Sequence, residues 1–198
     1  NAISKSGAGG LWQFMYPTGK MYGLEVNSYV DDRRDPLKAT EAACRYFKYL
    51  YGMFGDWQMV LAAYNCGPGT LSKAIRRSGN KKTYWEIRPY LPVETQGYVP
   101  AFIEVNYLMN FTKEHNIYPI AAKQSYFYAD TVHAKQAFTF EAVSQTIDIP
   151  MEDLIFLNPA YKLKRVPGYG NYRHLYLPSN KTGAFINQMV KLQDVRYR

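Results

Sequence analysis

The chain is poor in the residues that build metal centres and disulfide frameworks. Its two cysteines, Cys44 and Cys66, form no CxxC pair, and its three histidines, His115, His133 and His174, are scattered. Neither pattern has zinc-site spacing, so no metal and no cofactor is expected. Both cysteines sit in apolar, helix-patterned sequence, where a small buried thiol is the common case, and a disulfide between them is left open. Long hydrophobic runs are missing too, since none approaches the roughly 18 consecutive apolar residues of a membrane helix. No charged-then-apolar leader opens the chain, which starts at Asn1 as a mature or trimmed product would.

Acidic residues are the minority charge, and the net charge is +8. The excess is spread along the chain, its longest cluster is Arg76-Arg77 followed by Lys81-Lys82, and no nucleic-acid motif accompanies it. Nucleic acid is therefore not expected as a partner. A solvated basic face and a general attraction to anionic polymer both fit. Aromatic residues are abundant, with 19 tyrosines and 10 phenylalanines. Such a composition suits a ligand that presents flat C–H faces and hydroxyls, as sugars do, although cores use aromatics as well.

Local signals predict a mainly helical first part. Asp35-Pro36 reads as an N-cap and first helical residue, followed by Ala43, Tyr46, Phe47, Leu50, Tyr51 and Phe54 at helical spacing. Gly55 ends that helix, and Asp56 caps another through Trp57, Val60, Leu61 and Tyr64, which Gly67-Pro68-Gly69 stops. A shorter helix is expected over 71–77, and a pair over 93–115 interrupted or kinked at Pro100. Beyond Ile120 the pattern predicts a strand at 131–134, a helix through Val143 and Ile147, a helix after Pro150, and a strand at 172–177. This is a small βααβ unit, and an amphipathic turn (Phe185, Ile186, Met189, Val190) and a fraying basic end follow it.

Three segments carry a resemblance. They are Ala2-Ile3-Ser4-Lys5-Ser6-Gly7-Ala8-Gly9-Gly10-Leu11-Trp12-Gln13-Phe14-Met15, then Leu61-Ala62-Ala63-Tyr64-Asn65-Cys66-Gly67-Pro68-Gly69, and Leu91-Pro92-Val93-Glu94-Thr95-Gln96-Gly97-Tyr98-Val99. In that order and spacing the chain resembles the lytic transglycosylase domain, most closely its membrane-bound type D branch, over roughly residues 1–115. The resemblance implies a goose-type, lysozyme-like helical fold lacking its N-terminal part. It also implies cleavage of the β-1,4 bond between N-acetylmuramic acid and N-acetylglucosamine in peptidoglycan, leaving a 1,6-anhydro end. Peptidoglycan strands would be the partner and the bacterial cell envelope (periplasm or outer membrane) the location, with any membrane anchor outside this chain. One glutamic acid serves as acid and then base in that family, and the alignment of motifs places it about six residues before Asn1. The chain as given is then expected to be inactive; the competing reading is a non-catalytic glycan binder that keeps the cleft without the acid.

The remaining site residues follow from the same resemblance. Ser4 matches a serine near the acid, or is a loop hydroxyl, and Gln13 matches a glutamine that reaches the glycan amides. Tyr64 and Asn65 end a helix facing the cleft, with the Tyr64 hydroxyl placed to bond the acid or the sugar. Glu94 either supports the cleft or braces its helix, and Tyr98 is either cleft wall or packing. Gly7, Gly9 and Gly10 are expected to let backbone approach the sugar. Trp12 and Met15 are expected in the core, and Glu25, Glu41 and Glu104 on the surface. Residues 131–180 are similar to a LysM module, with the usual Gly-Asp-Thr-Leu loop replaced by Gln136-Ala137-Phe138-Thr139, which predicts weak or no binding of chitin-type oligomers. The expected division is 1–120, a linker at 121–130, the LysM-like unit at 131–180, and a C-terminal helix or tail at 181–198.

Overall fold

The computed structural model describes residues 2–122, 125–134, 136–168 and 173–196, without the side chains of Phe127 and of Val190 onward. Tyr172, where the last strand was expected to begin, lies outside the described residues, as do the side chain of Val190 and the final two residues. The chain forms two compact units, Asn1–Ala42 with Ala122–Arg198, and Ala43–Ala121. The division falls inside α2 (Pro36–Phe54).

In the first unit, residues 2–31 are mostly turns tied by isolated bridges, Ile3 with Gly9, Gly9 with Phe14, and Val26 with Asp31. A short helix, α1 (Tyr16–Met21), sits among them. The centre of this segment is a buried ion pair. Arg33 donates Nε and Nη2 to the two carboxylate oxygens of Asp31, each at 2.9 Å, and Nη1 to the carbonyls of Gly7 at 2.8 Å and Phe14 at 3.1 Å. Arg33 takes the space that a side chain on Gly9 or Gly10 would need. A Cβ on Gly9 would lie 3.1 Å from the guanidinium carbon, and one on Gly10 would lie 1.6 Å from the Arg33 carbonyl oxygen. Met15 is exposed rather than core, because the extended chain turns its neighbour Phe14 inward to 2% exposure. Trp12 is half-buried, its indole donating to Thr40 at 2.8 Å.

The same unit holds the βααβ motif. Strand β1 (Ala129–Ala134) pairs antiparallel with β4 (Arg173–Pro178), in register from Ala129 opposite Pro178 to Ala134 opposite Arg173. Between them run α7 (Phe140–Ile147), capped by the Thr139 hydroxyl, and α8 (Met151–Leu157). A second small ladder was not foreseen: β2 (Phe138–Thr139) pairs with β3 (Arg165–Val166). It uses two residues of the loop that departs from the LysM pattern. Phe140, Val143, Ile147, Leu154, Val166, Leu175, Leu177 and Phe185 form the core. Buried Asn158 ties the end of α8 to β4, accepting from the Tyr176 N–H and donating to the Tyr176 carbonyl, both at 2.8 Å. The amphipathic end, expected as a terminal helix or tail, forms one helix, α9 (Ser179–Arg196).

The second unit contains the rest of α2, then α3 (Trp57–Cys66), α4 (Pro68–Arg77), α5 (Tyr84–Ile87) and α6 (Val93–Asn110). The local signals act as expected. The Asp56 carboxylate accepts from the Met59 N–H at 2.9 Å, and Gly67 at φ +85° separates α3 from α4, which starts at Pro68 three residues earlier than predicted. Leu50, Val60, Leu71, Tyr84, Ile87 and Val99 are fully buried together, and burying such an apolar side chain contributes about 1.5–3 kcal/mol. Cys44 is exposed, against the expectation of a buried thiol, and Cys66 is half-buried; both are free thiols. The four-residue period places Cys44 beside Lys48 on the outer side of α2, while Ala43 and Leu50 turn inward.

The expected break at Pro100 is absent: α6 is one helix through it. Proline has no N–H for the carbonyl four residues back, here that of Gln96. The Tyr84 hydroxyl at 2.9 Å and Arg88 Nε at 2.8 Å supply the missing donors. Tyr84 also donates to the Thr95 carbonyl at 3.1 Å. Two outcomes follow. Tyr84→Phe, which removes only that hydroxyl from a fully buried ring, is expected to cost about 1–3 kcal/mol in urea unfolding. Gly10→Ala is expected to cost more than about 3 kcal/mol, and Gly7→Ala, at positive φ in open space, only about 1–2 kcal/mol. Equal losses at the two glycines would contradict the packing role of Gly10.

Candidate active site

Four of the six expected site residues lie in the second unit, where α3 and the start of α6 converge. Asn65, on the last turn of α3, donates Nδ2 to Glu94 Oε1 at 3.3 Å and accepts at Oδ1 from the Thr95 hydroxyl at 2.7 Å. A carboxylate only accepts, so this pairing fixes which way the amide faces. Glu94 lies in the first turn of α6, where the helix dipole favours a negative charge. It is exposed, bracing α6 to α3 through Asn65 while presenting a carboxylate to solvent. Thr95, 1% exposed, is the residue that sequence reasoning missed. It stood inside the third motif beside Glu94, with nothing local to separate it from its neighbours.

Tyr64 stacks on Phe47 with ring centres 4.6 Å apart and tilts against Tyr46 at 5.4 Å. Burial pushes its hydroxyl well above the usual phenol range, and the neighbouring Tyr98 and Tyr46 add to the shift. The group is a protonated donor at every physiological pH. Tyr98, one turn after Glu94 on α6, is 37% exposed, yet burial also raises its hydroxyl. Its phenol end is thus the more covered end. Burial likewise keeps the Cys66 thiol protonated, against a lowering contact from Thr95.

Ser4 and Gln13 lie in the first unit, on the loop that Arg33 holds. Ser4 closes a turn, its Oγ accepting from the Ala8 N–H at 3.0 Å and its own N–H donating to the Ala8 carbonyl at 2.8 Å. Gln13, exposed and at φ +49°, donates its side-chain amide to the carbonyls of Gly10 at 2.7 Å and Ala2 at 3.3 Å. Its amide oxygen is left facing outward, with no donor among the described residues.

The carboxylates expected on the surface divide. Glu41 and Glu104 are exposed. Glu25 is not a free surface charge: both its oxygens receive the Arg173 guanidinium, whose hydrogen bond holds it below its ordinary value. Burial pushes Asp31 up, but Arg33 overrides it and the net shift is downward. Asp35 moves the other way, raised chiefly by burial, while its Oδ1 accepts from the Leu37 and Lys38 N–H groups at 3.0 Å.

Residues 1–87 match the family described as the transglycosylase SLT domain, and residues 128–194 match the LysM-like domain of the lytic transglycosylase MltD. The chain is 36% identical over 121 residues to the membrane-bound lytic murein transglycosylase D of Escherichia coli K12, and to its counterpart in strain O6:H1. Each alignment covers 59% of this chain and 26% of the relative, so the chain spans about a quarter of the length of these curated relatives. The sequence thus carries a transglycosylase SLT domain followed by a LysM-like domain of the MltD type.

Proposed function

We propose that the protein carrying this chain is a peptidoglycan lytic transglycosylase of the bacterial cell envelope. It cleaves the bond between N-acetylmuramic acid and N-acetylglucosamine and leaves a 1,6-anhydro end. The observation that carries this reading is the wall formed by Tyr64, Asn65, Glu94 and Tyr98, in a chain that matches the SLT family. Such a wall offers a sugar what it needs: aromatic faces, an oriented amide, a phenol donor and an exposed carboxylate. The relatives' names, with murein in them, point to the same substrate.

The chemistry needs one carboxylic acid kept protonated near neutral pH. It protonates the glycosidic oxygen, and the muramic acid 6-hydroxyl attacks the anomeric carbon. The resulting carboxylate then takes that hydroxyl's proton, so no water is consumed. Residues N-terminal to Asn1 supply this acid, and residues 1–198 alone do not lyse cell walls. Support comes from the commitments of the carboxylates described here. Glu25 and Asp31 are held ionised by arginines, Asp32 binds Lys38 at 2.9 Å, and Asp35 and Asp56 cap helices. Tyr64 serves as donor to the acid or the sugar. The transglycosylase region is residues 1–120, joined by 121–130 to the LysM-like unit at 131–180, with 181–198 as its C-terminal helix or tail.

The test is Tyr64→Phe in the protein extended N-terminally past Asn1. The variant should fold normally and release muropeptides roughly 5–150-fold more slowly, the equivalent of about 1–3 kcal/mol. An unchanged rate would make Tyr64 a packing residue and remove the main support for this site.

A further inference from the structure

The LysM-like module grips one continuous stretch of the first unit, residues 25–35, through five contacts. Arg173 on β4 holds Glu25 with both of its terminal nitrogens. Lys162 donates Nζ to the Asn27 carbonyl at 2.8 Å and its backbone N–H to the Tyr29 carbonyl at 2.9 Å. Tyr161 bridges Val30 as an added β-pair, and the Ala160 carbonyl accepts from the Asp31 N–H at 2.9 Å. Finally the Tyr176 hydroxyl faces the Asp35 carboxylate, whose charge adds to the upward shift that burial gives the phenol. Val30 and Asp31 are buried to 2% and 1% exposure. A module that only tethers an enzyme to glycan would need a flexible linker and no such contacts.

The gripped stretch leads directly to the candidate site loop. Asp31 orients Arg33, and Arg33 holds the carbonyls of Gly7 and Phe14. Those two carbonyls bracket the turn on which Gln13 lies, and Gly7 closes the turn begun by Ser4. We infer that the LysM-like module is a positioning element for the loop carrying Ser4 and Gln13, with Arg173 and Lys162 as positioning residues. Its role in this chain is to fix the 25–35 segment, and through it the Asp31–Arg33 pair. The link to catalysis rests on the lytic reading of that loop, whereas the mechanical coupling does not.

The experiment is site-resolved amide hydrogen exchange on residues 1–198, which needs no catalytic activity. The amides of Gly9 and Phe14 bond each other's carbonyls at 3.0 and 3.2 Å and report the loop. The Tyr176 amide, bonded to Asn158, reports module folding, and Val99 reports the other unit. Lys162→Met and Arg173→Met should each speed exchange at Gly9 and Phe14 at least tenfold, with Tyr176 and Val99 unchanged. Exchanging the charges, Glu25→Arg with Arg173→Glu, should restore most of the protection that Arg173→Met loses. If Arg173→Met also exposes Tyr176, the module has unfolded and Lys162→Met, an exposed side chain, decides the matter. Unchanged exchange at Gly9 and Phe14 in Lys162→Met with the module folded overturns the inference, as does failure of the charge exchange to rescue a folded variant. In the N-terminally extended protein the same variants should lower kcat more than they raise KM. A wild-type protein that does not cut peptidoglycan refutes the proposed function and leaves the exchange result standing on its own.

Discussion

Much of the first unit depends on the buried pair of Asp31 and Arg33. A charge pair taken out of water is not a large net source of stability, because desolvation offsets most of the attraction. Its importance lies in what removal of one partner would leave, an uncompensated buried charge costing about 3–5 kcal/mol. The pair also gives the Gly7 carbonyl a donor and the Phe14 carbonyl a second one beside the Gly9 N–H. Glycine at positions 9, 10 and 19 follows from it, since the Arg33 side chain lies against Gly9 and Gly19 and its backbone against Gly10. One ion pair thus accounts for the shape of the glycine-rich loop and for the residues allowed in it.

This pair was hidden in the sequence. Asp31-Asp32-Arg33-Arg34-Asp35 has the look of a solvated run of mixed charge, and nothing local says that Arg33 points inward. Elements set by nearest-neighbour chemistry were legible: the caps at Asp35 and Asp56, the break at Gly67-Pro68, and the βααβ order with Leu175 and Leu177 inside. Elements set by distant partners were not. Pro100 predicts a break correctly for an isolated helix, and Tyr84 and Arg88, sixteen and twelve positions before it, undo that break by lending donors. Met15 and Cys44 were misplaced because a mean apolar pattern cannot say which neighbour turns in. The β2–β3 ladder was missed because two-residue strands carry no period.

The candidate site was more legible than its support. Asn65 and Glu94 meet, with Tyr64 and Tyr98 on the same two helices, because α3 and α6 pack on each other around Val60 and Val99. Thr95, inside the third motif but given no role there, and Phe47, outside the motifs, orient Asn65 and cover the Tyr64 ring, roles that emerge only from the packing. The same packing explains the chemistry open to the site. Burial keeps the Tyr64 phenol protonated, and the Thr95–Asn65–Glu94 chain fixes an amide and a carboxylate that would otherwise rotate.

The account turns on how the glycan bond is cut, and the product records it. An acid acting with the sugar's own 6-hydroxyl leaves muramic ends lighter by one water than those a hydrolase leaves. The most direct measurement is the mass of muropeptides released from purified sacculi by the protein extended past Asn1. The account predicts 1,6-anhydro-muramic ends throughout. Ordinary reducing ends, or no release from a folded protein that binds the sacculi, would contradict it.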